Sequence, residues 1–174
     1  MEIRKCKRSE IQRVGAFYDE VVAYLDEHVN YPRWMYKVYP TVSSVQKSTK
    51  EDCQFVCVDN GQIVGAFVLC EDAEGEYLQV DSWSLPLNIS QYIVCHALAT
   101  APHLHRKGLG KQIVAYCINY AKQHGYRAMR LDVVPDNEPA KRLYESFGFT
   151  FVCDNELGRG YEHIPTFSLY ELNF

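Results

Sequence analysis

The segment "HLHRKGLGKQIVAYCINYAK", residues 103–122, places three cations and two glycines at the start of an apolar run with helical period. Unpaired N–H groups already give the start of a helix a partial positive charge, so Arg106, Lys107 and Lys111 stand where the helix dipole repels them. Glycine has no Cβ atom, so the backbone here can turn sharply and lie against a ligand. The segment predicts a phosphate-binding loop; the alternative is a solvated basic helix start.

The composition argues against several classes of protein. The chain has 174 residues, the usual length of one domain, so residues 1–174 are expected to form a single domain. A formal net charge of -4 offers no overall positive field for nucleic acid or an anionic membrane. No apolar run is long enough to cross a membrane and no signal-type segment follows the first residues, which predicts a cytoplasmic protein. Seven cysteines without a C-x-x-C pair predict neither disulfides nor zinc.

The first half of the chain predicts a strand, two helices and a hairpin. Residues 1–6 alternate like a strand, and Ser9 with Gln12 forms a capping box for a helix to about His28. A second short helix is expected from Ser43 or Ser44 to Lys50. Two apolar runs within residues 53–70 flank Asn60-Gly61, a pair typical of a type I′ turn, and predict a hairpin.

The second half predicts alternating strands and helices. Residues 91–101 have strand composition and lead directly into the basic loop and its helix, which ends at Gly125. "YRAMRLDVV" is the next strand, Asn137 caps a helix that ends at Gly148, and two strands follow. This order indicates a mixed α/β sheet with a right-handed parallel crossover.

Two common phosphate loops do not match the basic segment. A P-loop needs glycine where His105 stands and Ser or Thr where Gln112 follows Lys111. A dinucleotide fingerprint needs a third glycine at Ile113. ATP and NAD both lose support as ligands.

Two segments resemble the GNAT superfamily of N-acetyltransferases. His105-Arg106-Lys107-Gly108-Leu109-Gly110 is similar to its acyl-CoA-binding loop, (Gln/Arg)-x-x-Gly-x-(Gly/Ala), with His105 replacing the usual first residue. "DNEPAKRLYESFGFTFV", residues 136–152, is similar to its N-x-x-A-x-x-(L/F)-Y-x-x-x-G-F segment. The resemblance is close over residues 92–152 and covers residues 53–70 by pattern. It implies a mixed sheet of six to seven strands with helices on both faces, splayed between the fourth and fifth strands.

The resemblance implies acetyl-CoA as cosubstrate and assigns residues to it. The pantetheine arm is expected to extend along Leu98, Ala99 and Thr100 like an added strand, with the Leu98 N–H on the thioester oxygen. Asn137 either contacts CoA or only caps its helix. The phosphates are expected on the loop residues His105, Arg106, Lys107, Gly108, Leu109, Gly110 and Lys111.

The resemblance also places Tyr144 beside the CoA sulfur, where it hydrogen-bonds developing charge; simple packing between helix and sheet is the alternative. With pKa values near 10 for tyrosine and about 8.5 for a thiol, full proton transfer to the thiolate is uphill by about 2 kcal/mol, so transfer is expected late. His96 lies two residues before Leu98, which predicts a shared strand face and a base for the amine; a packed core histidine is the alternative. Glu71 and Asp132 are weaker candidates for the base, and the resemblance leaves ordered water alone as a further alternative.

These observations predict an acetyl-CoA-dependent N-acetyltransferase acting on a primary amine of a small molecule or peptide. A non-catalytic CoA-binding sensor or interaction module on the same fold is the alternative. His103 and His105 form an H-x-H pair without a third ligand, so no metal is predicted. The aromatic N-terminal segment leaves a homodimer open. An acidic segment could attract a cationic amine or form a solvated face: Glu71, Asp72, Glu74, Glu76 and Asp81.

Overall fold

The computed structural model describes residues 1–71, 75–160 and 162–174, and these form a mixed α/β fold. Seven strands lie in one sheet in the order β1-β2-β3-β4-β5-β7-β6. In chain order the elements are β1 Glu2–Lys5, α1 Ile11–Asp26, α2 Val42–Lys50, β2 Gln54–Asp59, β3 Gln62–Cys70, β4 Tyr92–Thr100, α3 Leu109–Gln123, β5 Ala128–Val133, α4 Glu138–Glu145, β6 Thr150–Asn155 and β7 Phe167–Asn173. Strand β4 pairs with β5 in parallel. The pairs β1–β2, β2–β3, β5–β7 and β6–β7 are antiparallel, so the sheet is mixed and the predicted fold class is confirmed.

The chain forms two compact units that share strand β4. One unit comprises residues 1–30, 34–69 and 96–113, and the other comprises residues 31–33, 70–95 and 114–174. The single domain over residues 1–174 stays a prediction.

In the first unit the predicted hairpin is confirmed. Asn60 and Gly61 have φ angles of 47° and 76°, as a type I′ turn requires, and they join β2 to β3. β1 adds to the outer edge of β2 with Ile3 opposite Cys57. Local turn chemistry therefore determines this edge of the sheet.

The two helices of the first unit, α1 and α2, pack closely at a glycine of α1. A Cβ atom on Gly15 of α1 would lie 2.3 Å from Cγ2 of Val42 of α2, so glycine permits the close approach. α2 begins after Thr41, whose hydroxyl accepts the Ser44 N–H (3.2 Å), and it ends at Lys50 as predicted.

The predicted Ser9 cap of α1 is wrong. Residues 8–10 form a 3-10 turn in which the Glu10 carboxylate accepts the Lys7 N–H (2.9 Å) and pairs with Arg4. Both carboxylate oxygens of Glu10 lie 2.8 Å from guanidinium nitrogens of Arg4, which lowers the pKa of Glu10 to about 2. An ion pair with β1 therefore sets the start of α1 in place of a serine cap.

In the second unit β5 pairs in parallel with the first third of β4 and antiparallel with β7. The parallel register joins Tyr92–Val94 to Ala128–Arg130, and β5 pairs with β7 along its whole length. The helix ends agree with prediction, because Gly125 and Gly148 have φ angles of 79° and 87°. One hydrophobic cluster of buried residues in this unit consists of Tyr77, Val80, Leu87, Tyr92, Val94, Ala128, Val134, Leu157, Ile164, Phe167 and Leu169.

Candidate functional site

The basic loop between β4 and α3 is an exposed turn with two left-handed residues. It begins with the 3-10 turn Pro102–Leu104, after which Arg106 and Gly108 have φ angles of 62° and 83°. A Cβ atom on Gly108 would meet nothing within 4 Å, so this position needs glycine for its φ angle and not for space. The His105 ring lies edge-on to Tyr24 of α1, with ring centroids 5.5 Å apart.

Three backbone N–H groups at the start of α3 point out of the helix. The Gln112 N–H donates to the Gly108 carbonyl (3.1 Å), whereas the N–H groups of residues 109–111 have no acceptor in the described part of the chain. Within the loop, the Lys107 N–H is not available to a ligand, because it donates to the Leu104 carbonyl (3.2 Å). The remaining donors and the exposed Arg106 and Lys107 side chains form a site suited to an anion.

Strand β4 contains a bulge at Ala97. The φ angle of Ala97 is 49°, a left-handed conformation that interrupts the regular alternation of side chains. Simple alternation therefore does not support a shared face for His96 and Leu98, and the shared face stays a prediction. The buried Tyr18 of α1 holds the bulge, because its hydroxyl donates to the Ala97 carbonyl (2.8 Å).

Beyond the bulge, the backbone N–H and C=O groups of successive β4 residues point alternately to the two edges of the strand. The Ala101 N–H donates to the Val64 carbonyl of β3 (2.8 Å), so Ala99, two residues earlier, also faces β3. The backbone groups of Leu98 and Thr100 therefore face the opposite edge. Of the three residues predicted for the pantetheine arm, Leu98 and Thr100 have the backbone orientation that an added strand requires.

A cavity of about 200 Å³ adjoins the bulge within the first unit. His96 is half-buried at its wall, which Ala97 and Tyr18 also line. The sequence did not predict this cavity, since its lining comes from segments that are far apart in the chain. The lining residues are Tyr18, Tyr39, Pro40, Ser44, Lys47, Ser48, Glu51, Gln54, Val68, His96 and Ala97.

Tyr144 of α4 is buried in the second unit. Its ring packs edge-on against Phe149 with centroids 5.6 Å apart, and only 8% of its surface is exposed. Burial raises the pKa of the Tyr144 hydroxyl well above its usual value of 10. This hydroxyl has no hydrogen-bond partner among the residues that the structure describes, whereas Asn137 caps α4 through the Ala140 N–H (3.2 Å).

A model of the acetyltransferase (GNAT) family matches residues 16–149, which include β4, the basic loop and α4. The chain belongs to the GNAT acetyltransferase family. Members of this family use acetyl-CoA.

A curated relative and two solved structures are similar to this GNAT chain. An uncharacterized N-acetyltransferase of Methanocaldococcus jannaschii is 30% identical over 99 residues, which are 57% of this chain and 39% of that protein. The chain thus spans about two-fifths of the length of that relative. A GNAT-family acetyltransferase of Streptococcus agalactiae has a TM-score of 0.81 at 14% identity, over 99% of this chain and 95% of that one. The yncA protein of Salmonella typhimurium, solved with its cofactor acetyl-CoA, has a TM-score of 0.68 at 18% identity, over 99% and 93%.

Two weaker candidates for the base of this GNAT chain have protein partners. Both carboxylate oxygens of Asp132 accept from Arg159 (2.9 and 3.0 Å), and the Tyr77 hydroxyl donates to one of them. The Glu71 carboxylate accepts the Tyr126 hydroxyl (3.0 Å). An ion-paired Asp132 is a poor proton acceptor, because protonation would cost the pair with Arg159.

The acidic segment only partly forms an open negative face. The Glu76 carboxylate pairs with Arg159 Nε (2.9 Å), and Asp72 and Glu74 lie outside the described residues. In residues 1–71, 75–160 and 162–174, no three His, Cys, Asp or Glu side chains come together as a metal site. Over the same ranges, no helix has the length and apolar character needed to cross a membrane.

Proposed function

We propose that this chain transfers an acetyl group directly from acetyl-CoA to a primary amine of a small molecule or peptide. Membership in an acetyltransferase family supports acetyl transfer as the general reaction. The observation that carries the proposal is the loop before α3, where three outward N–H groups and exposed cations suit a pyrophosphate.

The loop would bind the phosphates through the backbone of residues 109–111. Arg106 and Lys107 extend from the exposed turn and would pair with the outer 3′-phosphate. Binding there offsets the repulsion between these side chains and the helix dipole. Asn137 remains a candidate for a further contact while it caps α4.

The strand end would hold the thioester. Leu98 and Thr100 face away from β3, so the amide-rich arm of CoA can pair with them as an added strand. The Leu98 N–H would donate to the thioester oxygen, where negative charge develops during attack by the amine. A backbone donor at this position typically contributes a few kcal/mol at the transition state.

Tyr144 would stabilise the leaving thiolate chiefly by hydrogen bonding. Its raised pKa makes full proton transfer to sulfur more unfavourable than the roughly 2 kcal/mol expected from ordinary tyrosine and thiol pKa values. The hydroxyl, which lacks a partner among the described residues, is available for this contact. Proton transfer is therefore expected after most of the charge has left the carbonyl.

His96 would accept the proton of the attacking amine. It stands at the wall of the cavity beside the bulge, and an imidazole titrates near the pH at which a base must work. Loss of the alkaline-side rise in rate for His96→Ala would support this role. An unaltered pH profile would remove His96 as the base.

The experiment that tests the proposal compares thiol release from acetyl-CoA across a panel of amines with CoA binding measured by calorimetry. Wild-type protein is expected to bind CoA and to release thiol with at least one primary amine. For Tyr144→Phe we expect kcat to fall by about 100-fold, with the affinity for CoA nearly unchanged. Tyr170→Phe is the matched control, because that buried hydroxyl already donates to Glu145 (3.1 Å) and its loss should leave kcat unchanged.

Two outcomes would contradict the proposal. CoA binding without thiol release from any amine would favour a sensor or interaction module. The absence of CoA binding would remove the assignment of the loop.

A further inference from the structure

We infer that Tyr18 is a positioning residue that aims the Leu98 N–H at the thioester oxygen. The inference rests on the proposed function. It adds a residue that is distant in sequence from the two segments that resemble GNAT motifs, residues 105–110 and 136–152. Tyr18 lies on α1, is 1% exposed, and donates its hydroxyl to the Ala97 carbonyl across 79 residues of sequence (2.8 Å). Its proposed role is to orient the peptide group, not to act on the substrate.

The geometry of the peptide group transmits this hydrogen bond to Leu98. In a trans peptide the carbonyl and the following N–H point in opposite directions within one plane. When the Tyr18 hydroxyl holds the Ala97 carbonyl, it also sets the direction of the Leu98 N–H. The donor then points away from α1.

The bulge needs such support because its backbone is strained. A φ angle of 49° is unfavourable for alanine, which gains nothing locally from the left-handed conformation. Without the hydrogen bond, residue 97 can relax to an extended conformation. That change would rotate the Ala97-Leu98 peptide, while the hydrogen bond from the Ala101 N–H to the Val64 carbonyl keeps the later residues of β4 on their edge.

The tyrosine is itself held rigidly in the first unit. Its ring packs against Phe17 with centroids 5.7 Å apart and edge-on against Trp34 at 6.1 Å. A fixed ring places the hydroxyl at one point, so the carbonyl it holds has little freedom. Rigid support of this kind is what a catalytic donor requires.

The test uses a resonance that reports on this peptide alone. Ala97-Leu98 is the only Ala-Leu pair in the sequence, so labelling alanine carbonyls with ¹³C and leucine nitrogens with ¹⁵N selects a single amide signal. In wild-type protein this signal should shift on addition of acetyl-CoA more than on addition of CoA. For Tyr18→Phe we expect the signal of the unliganded protein to move and the acetyl-specific shift to disappear.

Kinetics give the second readout. Tyr18→Phe should lower kcat about 10-fold or more, while the dissociation constant for CoA stays within about twofold, because the phosphate loop is untouched. Ser168→Ala is the matched control: it removes a hydroxyl that is 1% exposed and donates to Asp154 (2.6 Å) in the β6–β7 pair. It should change neither kcat nor the Leu98 signal.

A rescue variant separates positioning from simple packing. Glycine adopts positive φ without strain, so Ala97→Gly in the Tyr18→Phe background should restore part of kcat and part of the acetyl-specific shift. If Tyr18→Phe alone does not fold, the double variant is compared with Ala97→Gly alone. An unchanged Leu98 signal and unchanged kcat in the variant lacking the hydroxyl would overturn the inference.

The two proposals fail in different ways. If acetyl-CoA binds but no amine is acetylated, the proposed function fails while the acetyl-specific shift still tests Tyr18. If amines are acetylated and the Tyr18→Phe variant behaves as wild type, only the role of Tyr18 is lost.

Discussion

Gly108 provides a sharp test of the phosphate loop. Its φ angle of 83° is left-handed, and the space around a Cβ atom at this position is open, so Gly108→Ala adds backbone strain without a clash. An L-residue in this conformation costs about 1–2 kcal/mol. The loop is exposed, so the free variant can relax, and the cost appears when the ligand requires the original backbone.

The expected effect is roughly a 5- to 30-fold increase in the dissociation constant for CoA, which is about 1–2 kcal/mol converted to affinity. Isothermal titration calorimetry with CoA measures it, and urea denaturation measures the free energy of unfolding. Gly61→Ala is the matched control, because Gly61 has a φ angle of 76° and equally open surroundings in the β2–β3 turn. That variant should lose about 1–2 kcal/mol of stability and bind CoA as wild type does.

One result would refute the reasoning. Suppose that the dissociation constant of Gly108→Ala for CoA lies within twofold of wild type while Gly61→Ala shows the expected loss of stability. The left-handed backbone at residue 108 then does not shape the ligand site. The assignment of the phosphates to this turn would then have to be abandoned.

Three predictions concern stability. The folded-state pKa of Glu10 is depressed from 4.5 to about 2 by its hydrogen bonds with Arg4. The pair therefore contributes about 3 kcal/mol of stability above pH 4.5, and this contribution is lost as the pH falls from 4.5 to 2. Urea denaturation should show this loss in wild type and little of it in Glu10→Gln. Gly15→Ala should lower the melting temperature, because overpacking of the α1–α2 contact costs about 1–3 kcal/mol. Arg159→Met should cost about 3–5 kcal/mol in denaturant titrations, since it leaves the half-buried Asp132 carboxylate without its ion pair, and Arg159→Met combined with Asp132→Asn should recover part of that loss.

Each of these has a contrary outcome. Equal acid sensitivity of the wild type and the glutamine variant would show that the Arg4 pair does not control this pH range. An unchanged melting temperature for Gly15→Ala would mean that the helices can separate freely at this contact. No recovery in the double variant would assign the effect of Arg159→Met to lost packing and not to the uncompensated charge.

Several features of the fold follow from signals that lie within a few residues of where they act. Asn60-Gly61 predicted its hairpin, and Gly125 and Gly148 predicted helix ends, because each requires a backbone conformation that few residues tolerate. The basic loop before α3 was predicted from equally local signals, since glycines and cations precede a helix within a dozen residues, and phosphate binding there stays a prediction. Asn137 likewise caps α4 through its own side chain.

Other features depend on partners far away in sequence. Nothing in Ala97 itself favours a left-handed conformation, and the bulge is held by Tyr18 from another element. The start of α1 was misplaced because Arg4 of β1 captures Glu10, a contact that local capping rules do not include. The sequence leaves Asp132 as a candidate base, but in the folded protein its carboxylate is paired with Arg159.

Short-range patterns along the chain were enough to predict where it turns, which helix start carries the basic loop, and which family it resembles. Those properties depend on backbone preferences and on charges that are neighbours in sequence. The orientation of the β4 N–H groups and the pairing of the acidic side chains became apparent in the folded molecule. A hydrogen bond or ion pair between distant segments exists only after the chain has folded, so no local pattern in the sequence encodes it.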